Sequence, residues 1–380
     1  MDVLPLHQSS CWTNNVGVII NRSVLNAAGW EIGSVSYYIT FIKRRHMNIL
    51  FDGNFLIHKT FSVWSMYYQD RKKTTEENEQ LLLEALRDKE KQQVFLRKII
   101  IDACAAINRF KDVKRVAFVI DSHSWRYRFY DNYKYALTRV RGVYYKEFIN
   151  MIDKVEQFFR KKGFIVSRVM GAEGDDLLYT WSIYFSQVLE EDLVIITGDS
   201  DIRQIINPKV SLFCNNSKNL KFFCHTSSEV AWNEYFDTDV MVEAVKPFEI
   251  LLYKVVMGDK SDNIPKLKNG FGDAAFKKFI ASITPYDEPE NVPLLLMAQW
   301  ITDKFCAFAK NTVYEDVLGV VLFNLKMTWL NLSVYNEQNF LYENGKSLLE
   351  NMLDDINDNK NSYNYDKKFT LEEIYGSIIK

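Results

Sequence analysis

The sequence has no apolar run long enough to cross a bilayer, which excludes a membrane-spanning helix. It also lacks the charged start, apolar stretch and cleavage site of a secretory leader. Its five cysteines, Cys11, Cys104, Cys214, Cys224 and Cys306, are scattered and odd in number, which argues against a disulfide framework. Cys214, Cys224 and His225 resemble half of a zinc site, but no second pair completes it, so core thiols beside a hairpin are expected. These absences predict an intracellular, reducing compartment. An excess of either charge is missing too: 47 Lys and Arg stand against 49 Asp and Glu. Any nucleic-acid partner must therefore be met by a local patch rather than by the global field. No internal repeat is present. What remains is a globular composition, 47% hydrophobic and 25% charged, over 380 residues, enough for one large domain or two moderate ones.

Residues 1–46 differ from the rest and end in Lys43-Arg44-Arg45-His46. Met47 is expected to be the natural start, with 1–46 an upstream extension; the mass of the native protein tests this. Asn48-Ile49-Leu50-Phe51-Asp52 reads as a buried strand, followed by helical periodicity from Phe55 to Met66. Residues 69–80 are polar and predict a loop, and Glu79 to Phe110 suits one amphipathic helix or two. Further strands are expected at Arg115–Ile120, Phe164–Val169 and Leu193–Thr197. Strand ends at Asp52, Asp121 and Asp199, separated by helices, predict a parallel α/β sheet. Such sheets place their sites outside the carboxyl ends of the strands, so the three aspartates would face one crevice. A hairpin follows at 210–213 and 220–223, then a helix at Pro247–Met257 and another from Asp273 to Ile280. Beyond Pro285 the chain reads as helical, with Trp300, Trp329, Leu330 and Phe340 as core. Residues 354–368 are predicted to be mobile, and 371–379 to form a short docking helix or partner peptide.

The stretch from Gly171 to Asp201 gathers Glu173, Asp175 and Asp176 at a helix entry and Asp199 and Asp201 at a strand exit. Like charges at short range raise one another's pKa, and hard oxygen donors at this density suit a divalent cation. Asp52, Asp121, Asp259 and Asp262 extend the set, each just after an apolar element. A lone aspartate in such a place is an ordinary cap or turn residue; the case rests on the sum. Magnesium keeps several waters, so some of these acids would bind through water. An EF-hand is excluded because Asp199-Ser200-Asp201-Ile202-Arg203-Gln204 lacks the third acid and the glycine. A haloacid-dehalogenase-type phosphatase is disfavoured because Asp52-Gly53-Asn54 lacks the second acid. Residues 124–162 are basic and aromatic, with Arg126, Arg128, Lys134, Arg139, Tyr133 and others interleaved. That mixture suits phosphates and bases, or an ordinary solvated helix with half-buried tyrosines.

Asp52-Gly53-Asn54, Ile120-Asp121-Ser122, Glu173-Gly174-Asp175-Asp176, Thr197-Gly198-Asp199-Ser200-Asp201 and Gly258-Asp259-Lys260-Ser261-Asp262-Asn263-Ile264-Pro265 stand in the order of the flap-endonuclease, or 5′-nuclease, superfamily. The chain resembles a phage member of it: a 5′-to-3′ exonuclease, flap endonuclease or T-even-type ribonuclease H. It is similar also to the 5′-nuclease domain of bacterial DNA polymerase I. The resemblance spans Met47 to Ile280. It implies a PIN-like α/β catalytic domain over 47–245, with a helical arch. A helix–three-turn–helix duplex-binding segment at 246–284 and a helical C-terminal region at 285–380 would follow. It implies a first metal on Asp52, Asp121, Glu173 and Asp175, and a second on Asp199, Asp201, Asp259 and Asp262 with Asp176 assisting. The ions would be Mg²⁺, with Mn²⁺ as a substitute. Tyr133-Lys134 falls at the family's arch Tyr-Lys, so Lys134 would contact the scissile phosphate; the Arg usual three residues on is Leu137 here, and Arg139 comes later. Gly270-Phe271-Gly272 resembles the family's Gly-hydrophobe-Gly hairpin, which lets backbone amides approach duplex phosphates. Lys266, Lys268, Lys277 and Lys278 flank it, and Leu267-Lys268-Asn269 departs from the usual loop.

The expected activity is structure-specific 5′ cleavage of flapped, nicked or blunt duplex DNA or RNA–DNA hybrid. The expected setting is a monomer in the cytoplasm of a bacterial or phage-infected cell, with a single-strand-binding protein or clamp as further partner. The rival readings are a DNA-binding accessory without catalysis and a PIN-type single-strand ribonuclease.

Overall fold

The computed structural model describes residues 47–110, 112–134, 142–216, 219–225, 240–283, 292–338 and 340–359. The expectations for residues 1–46, Arg139 and residues 371–379 lie outside them.

Strands β1 (Met47–Asp52), β2 (Val113–Val119), β3 (Ile165–Ser167), β4 (Asp192–Ile196) and β5 (Val210–Asn216) run parallel in one sheet. Their near-continuous apolar runs fit burial on both faces. Ile49, Phe51, Val116, Phe118 and Val194 point into one core, while Leu50, Ala117, Val119 and Ile195 point into the other. β6 (Asn219–His225) pairs antiparallel with β5 as the expected hairpin, and β7 (Met241–Val245) closes the edge in parallel. The seven-stranded order is β3-β2-β1-β4-β5-β6-β7. The chain leaves β1 toward β2 on one side and returns to β4 on the other. This switch opens a crevice at the carboxyl ends of β1, β2 and β4. The expected α/β class with a mainly parallel sheet is the class observed.

One face is covered by α1 (Gly53–Ser65), α2 (Thr75–Arg87), α3 (Lys89–Ile107) and α4 (Tyr145–Lys161). The other carries α5 (Gly174–Ile183), α6 (Pro247–Met257), α7 (Asp273–Ser282), α8 (Leu294–Phe308), α9 (Tyr314–Thr328), α10 (Leu332–Asn336) and α11 (Leu348–Asn359). Helices α5 to α11 share one core cluster with the sheet. Among the described residues no helix is long and apolar enough to cross a membrane. Cys104, Cys214, Cys224 and Cys306 form no disulfide among the described residues.

Three local expectations are corrected. The supposed loop at 69–80 contains the start of α2, because Thr74 and Glu77 form a reciprocal capping box that satisfies the first amides. Residues 354–359 are helical rather than mobile, since Met352 and Ile356 bury one side of α11 in the core; 360–368 lie outside the described residues. β7 was not anticipated, its MVEAV being mostly exposed.

Candidate functional site

Asp52 ends β1 and caps α1: its Oδ1 accepts from Phe55 N at 2.8 Å and its Oδ2 from Thr197 Oγ1 at 2.7 Å. Asp121, just beyond β2, accepts from Asn54 Nδ2 at 2.6 Å and from Gly174 N at 2.5 Å. Glu173 and Asp175 stand at the entry of α5. Asp199 follows β4 and accepts from Asp201 N at 2.8 Å. Together with Asn54, Phe55, His58, Lys134 and Gly198, these five acids line an open cleft of ≈ 450 Å³.

Burial, with Asp121 and Asp199 nearby, pushes the Asp52 carboxyl up to about 7, against the pull of the Phe55 amide and Thr197. Asp121 is raised to about 6, first by desolvation and then by Glu173. Asp121 is itself exposed to solvent where it lines the cleft. Asp175 lies well above the ordinary carboxylate range, from burial first and then Asp199, Asp52, Glu173 and Asp121. Glu173 runs the other way: burial raises it, but Arg126 and Lys134 outweigh that and leave it lowered. The Lys134 ammonium touches Glu173 and is raised in turn, its desolvation overcome by Glu173 and Asp262.

Carboxyls whose folded pKa is raised bind more protons folded than unfolded between the two values. The stability they contribute is full below the ordinary 3.8 and is lost as pH rises through about 6 for Asp121 and about 7 for Asp52. The melting midpoint in EDTA is expected to fall by about 4 °C between pH 5 and pH 8, after discounting for water at the mouth. Calorimetry at both values checks this, and a rising midpoint would contradict it.

Two expectations about Arg126 and Asp176 need correcting. Arg126 is only 2% exposed and cannot meet nucleic acid. Its guanidinium donates to Asp176 at 2.9 and 3.1 Å, to Glu173 Oε2 at 2.9 Å and to the Met327 carbonyl at 2.8 Å. Asp176 is fully buried; besides Arg126 it accepts from Glu173 N at 3.0 Å and from Tyr335 Oη at 2.9 Å. Its acceptors are saturated by protein donors, which leaves it no role as a ligand. Tyr133 is buried too, its hydroxyl donating to Glu173 at 2.9 Å, so it is not a stacking surface. Arg128 is exposed, its guanidinium over the rings of Phe340 and Tyr342.

The expected second group is divided. Asp199 lies with the first group in the cleft. Asp201 and Asp259 instead share the Lys254 ammonium, at 2.8 Å for Asp201. Asp259 also accepts from Ser261 N at 2.8 Å and Ser261 Oγ at 2.5 Å. Burial raises Asp259, but Lys254 and Ser261 hold it below the usual range. Asp262 faces Tyr133 and Lys134, and burial lifts it to about 6. Among the described residues no group of three or more acids, histidines or cysteines is arranged to hold a metal ion as it stands.

Loop 258–265 owes its shape to Gly258, whose φ of +67° and 2.4 Å approach of an added Cβ to the Ile264 carbonyl exclude other residues. Asp259 and Ile264 exchange backbone bonds of 3.0 and 2.7 Å across it. Asn263 bonds Tyr130 Oη and the Asn132 carbonyl, and Lys134 N donates to the Asp262 carbonyl at 3.2 Å. The loop thereby fixes the segment that carries Lys134 into the cleft.

A family model described as "5′-3′ exonuclease, N-terminal resolvase-like domain" matches residues 47–233. Over this stretch the chain belongs to the 5′-nuclease superfamily. The 5′-3′ exonuclease of Buchnera aphidicola is 24% identical over 186 residues, 48% of this chain and 57% of its own. That of Bacillus subtilis is 29% identical over 154 residues, 40% of this chain and 48% of its own. The chain thus spans about half the length of the curated relatives it matches. A structure of T5 5′-exonuclease with bound divalent metal ions (zinc) aligns with a TM-score of 0.51 at 15% identity, covering 82% of this chain and 99% of that one. This likeness establishes the PIN-like fold.

The glycines and lysines of the expected duplex-binding segment do not line the acidic cleft. Lys266, Lys277 and Lys278 are exposed, whereas Lys268 donates to the Lys310 carbonyl at 2.6 Å. Gly270 (φ +78°) and Gly272 have open space where a Cβ would stand, and Phe271 between them is buried against Phe279, Phe305 and Phe308. The arch expected at 124–162 includes 135–141, outside the described residues. Sequence reasoning missed Asn54, Thr197, Lys254 and Tyr335. Asn54 and Thr197 stand inside the sequence motifs without a role assigned to them, and Lys254 left a local signal, a lysine on the apolar helix α6 five residues before Asp259.

Proposed function

We propose that this protein is a divalent-metal-dependent, structure-specific 5′ nuclease that hydrolyses phosphodiesters near the 5′ ends of flapped, nicked, blunt or RNA-primed duplexes. The observation that carries this reading is Asp175. Its carboxylate has no hydrogen bond or ion pair among the described residues, yet it sits among Asp52, Asp121, Glu173 and Asp199. Uncompensated anionic oxygens in an open cleft fit a hard divalent cation, and Mg²⁺ is the expected ion with Mn²⁺ as a substitute. Asp52, Asp121, Glu173, Asp175 and Asp199 would hold it. When bound, such ions activate water and offset the charge that develops on a phosphoryl group.

The chain's own groups do the rest. Thr197, the Phe55 amide, Asn54 and the Gly174 amide fix the Asp52 and Asp121 carboxylates, so those ligands need little reorganisation. Lys134 places a fixed positive charge at the cleft, where a phosphate oxygen would lie. Lys266, Lys277 and Lys278, beside the open backbone of Gly270 and Gly272, offer salt-dependent, sequence-independent contacts to duplex phosphates. The curated relatives' names as 5′-3′ exonucleases and the metal-bound T5 enzyme support the reading.

End-labelled flap, nick, blunt and RNA-primed duplexes, incubated with Mg²⁺, Mn²⁺ or EDTA, test it. Short 5′ products are expected with either ion and none in EDTA. Intact substrates in both metals, or cleavage that persists in EDTA, would overturn it.

A further inference from the structure

Tyr335 lies outside residues 47–233, the part matched by the family model, yet it bonds Asp176, the neighbour of cleft-lining Asp175. It sits on α10, is 1% exposed, and donates its hydroxyl to Asp176 Oδ1 at 2.9 Å. Asp176 binds the Arg126 guanidinium through both oxygens and accepts from the Glu173 amide. Arg126 then donates to Glu173 Oε2, one oxygen of a carboxylate that lines the cleft. A continuous buried chain therefore runs from Tyr335 through Asp176 and Arg126 to Glu173. Its outer end is anchored separately: Arg126 Nε donates to the Met327 carbonyl, and Leu332 N donates to Tyr179 Oη at 3.3 Å. The same C-terminal segment also ties down the turn that carries Asp201 through Gln204, which bonds the Asp201 and Thr328 carbonyls and accepts from Leu330 N, each at 3.1 Å.

We infer that Tyr335 is a positioning residue for the metal centre: through Asp176 and Arg126 it fixes the orientation of Glu173 toward a divalent cation. The physical reason is competition for one guanidinium. With the hydroxyl present, Asp176 Oδ1 has two donors and Arg126 can divide its remaining N–H groups between Asp176 and Glu173. Without it, a fully desolvated carboxylate loses a donor and draws Arg126 toward itself, because buried acceptors are costly to leave unmet. Glu173 is then oriented by Lys134 and Tyr133 alone, and both lie on its outer side toward loop 258–265. Groups one layer behind a metal typically alter affinity by about 10–100-fold when removed.

This inference rests on the metal reading above, and its test separates the two. Mg²⁺ and Mn²⁺ binding to the free full-length protein is measured by titration calorimetry, alongside cleavage kinetics and duplex binding in EDTA. Tyr335→Phe, which removes only the hydroxyl, is expected to weaken metal binding about tenfold. The metal concentration for half-maximal cleavage should rise in parallel, kcat at fixed metal should fall, and KM and duplex affinity in EDTA should hold. Val334→Ala is the control: it creates a void in the same short helix without touching the chain of bonds, and should leave metal affinity at the wild-type value. An unchanged affinity in Tyr335→Phe, or an equal loss in Val334→Ala, would overturn the positioning role while wild-type binding stands. Absence of metal binding by the wild type would sink the metal reading and this inference together.

Discussion

Asp175→Asn is expected to abolish cleavage and, in metal-free buffer, to raise the melting temperature. The substitution keeps size and shape but removes a charge that no donor among the described residues meets. Asp175 sits well above the ordinary carboxylate range because burial and then Asp199, Asp52, Glu173 and Asp121 oppose its ionised form. Neutralising it relieves that opposition at neutral pH, which is the behaviour of a site whose strain serves binding rather than folding. A midpoint increase of about 1–2 °C corresponds to roughly 1 kcal/mol in a chain of this length. Added Mg²⁺ should stabilise the wild type and have little effect on the variant, because only the native state presents the ligand set. Turnover should drop by about 10³-fold, as when a group acting directly on the developing charge is removed. Calorimetry with and without Mg²⁺, with single-turnover cleavage, reads all three. Wild-type turnover, or a lower metal-free midpoint, would remove Asp175 from the centre of the site.

The largest expected loss of stability belongs to Arg126→Ala. Its guanidinium is sealed between Asp176, Glu173 and the Met327 carbonyl, with Trp125 stacked 4.7 Å from it. A buried ion pair contributes little net stability when intact, but removing one partner strands the other, at about 3–5 kcal/mol. Asp176 would be the stranded group. Arg126→Lys is not expected to rescue, since a single ammonium cannot span Asp176, Glu173 and a carbonyl as a planar fork does. Urea denaturation should show the midpoint falling at unchanged slope. Duplex affinity per folded molecule should stay at the wild-type level. A role at the nucleic-acid surface gives the opposite pattern, unaltered stability with weakened, less salt-dependent binding.

That contrast also marks how far the sequence could be read. β1, β2 and β4 were legible because each is an apolar run ending at an acid, and Asp52, Asp121 and Asp199 do meet in one cleft. Helix α6 was legible for the same reason, an apolar segment opened by Pro247 and closed by Gly258. Arg126 was misread because composition groups it with Arg128 and Lys134, while only three-dimensional packing shows which of the three is enclosed. The start of α2 was written in Thr74 and Glu77, and the surrounding polarity hid it. Asp201 and Asp259 were rightly placed near each other, but the cation between them is Lys254, supplied by the chain itself. Tyr335 had no local signal at all: its partner is 159 residues away, and nothing in a tyrosine's neighbours announces such a bond.

Those separations bear on how the protein is made. Arg126 closes on Met327 across 201 residues and Asp176 on Tyr335 across 159. Contacts of such long range form late, because the entropy of closing the intervening chain is lost before any reward is gained. On a ribosome, the strands bearing Asp52, Asp121 and Asp199 emerge well before the segment at 327–335 that completes the polar network beneath them. Until then Asp176 and Arg126 have no finished enclosure, and the acids above them stay loosely held. A nascent chain would therefore complete its acidic cleft only after its C-terminal helices had been synthesised and docked.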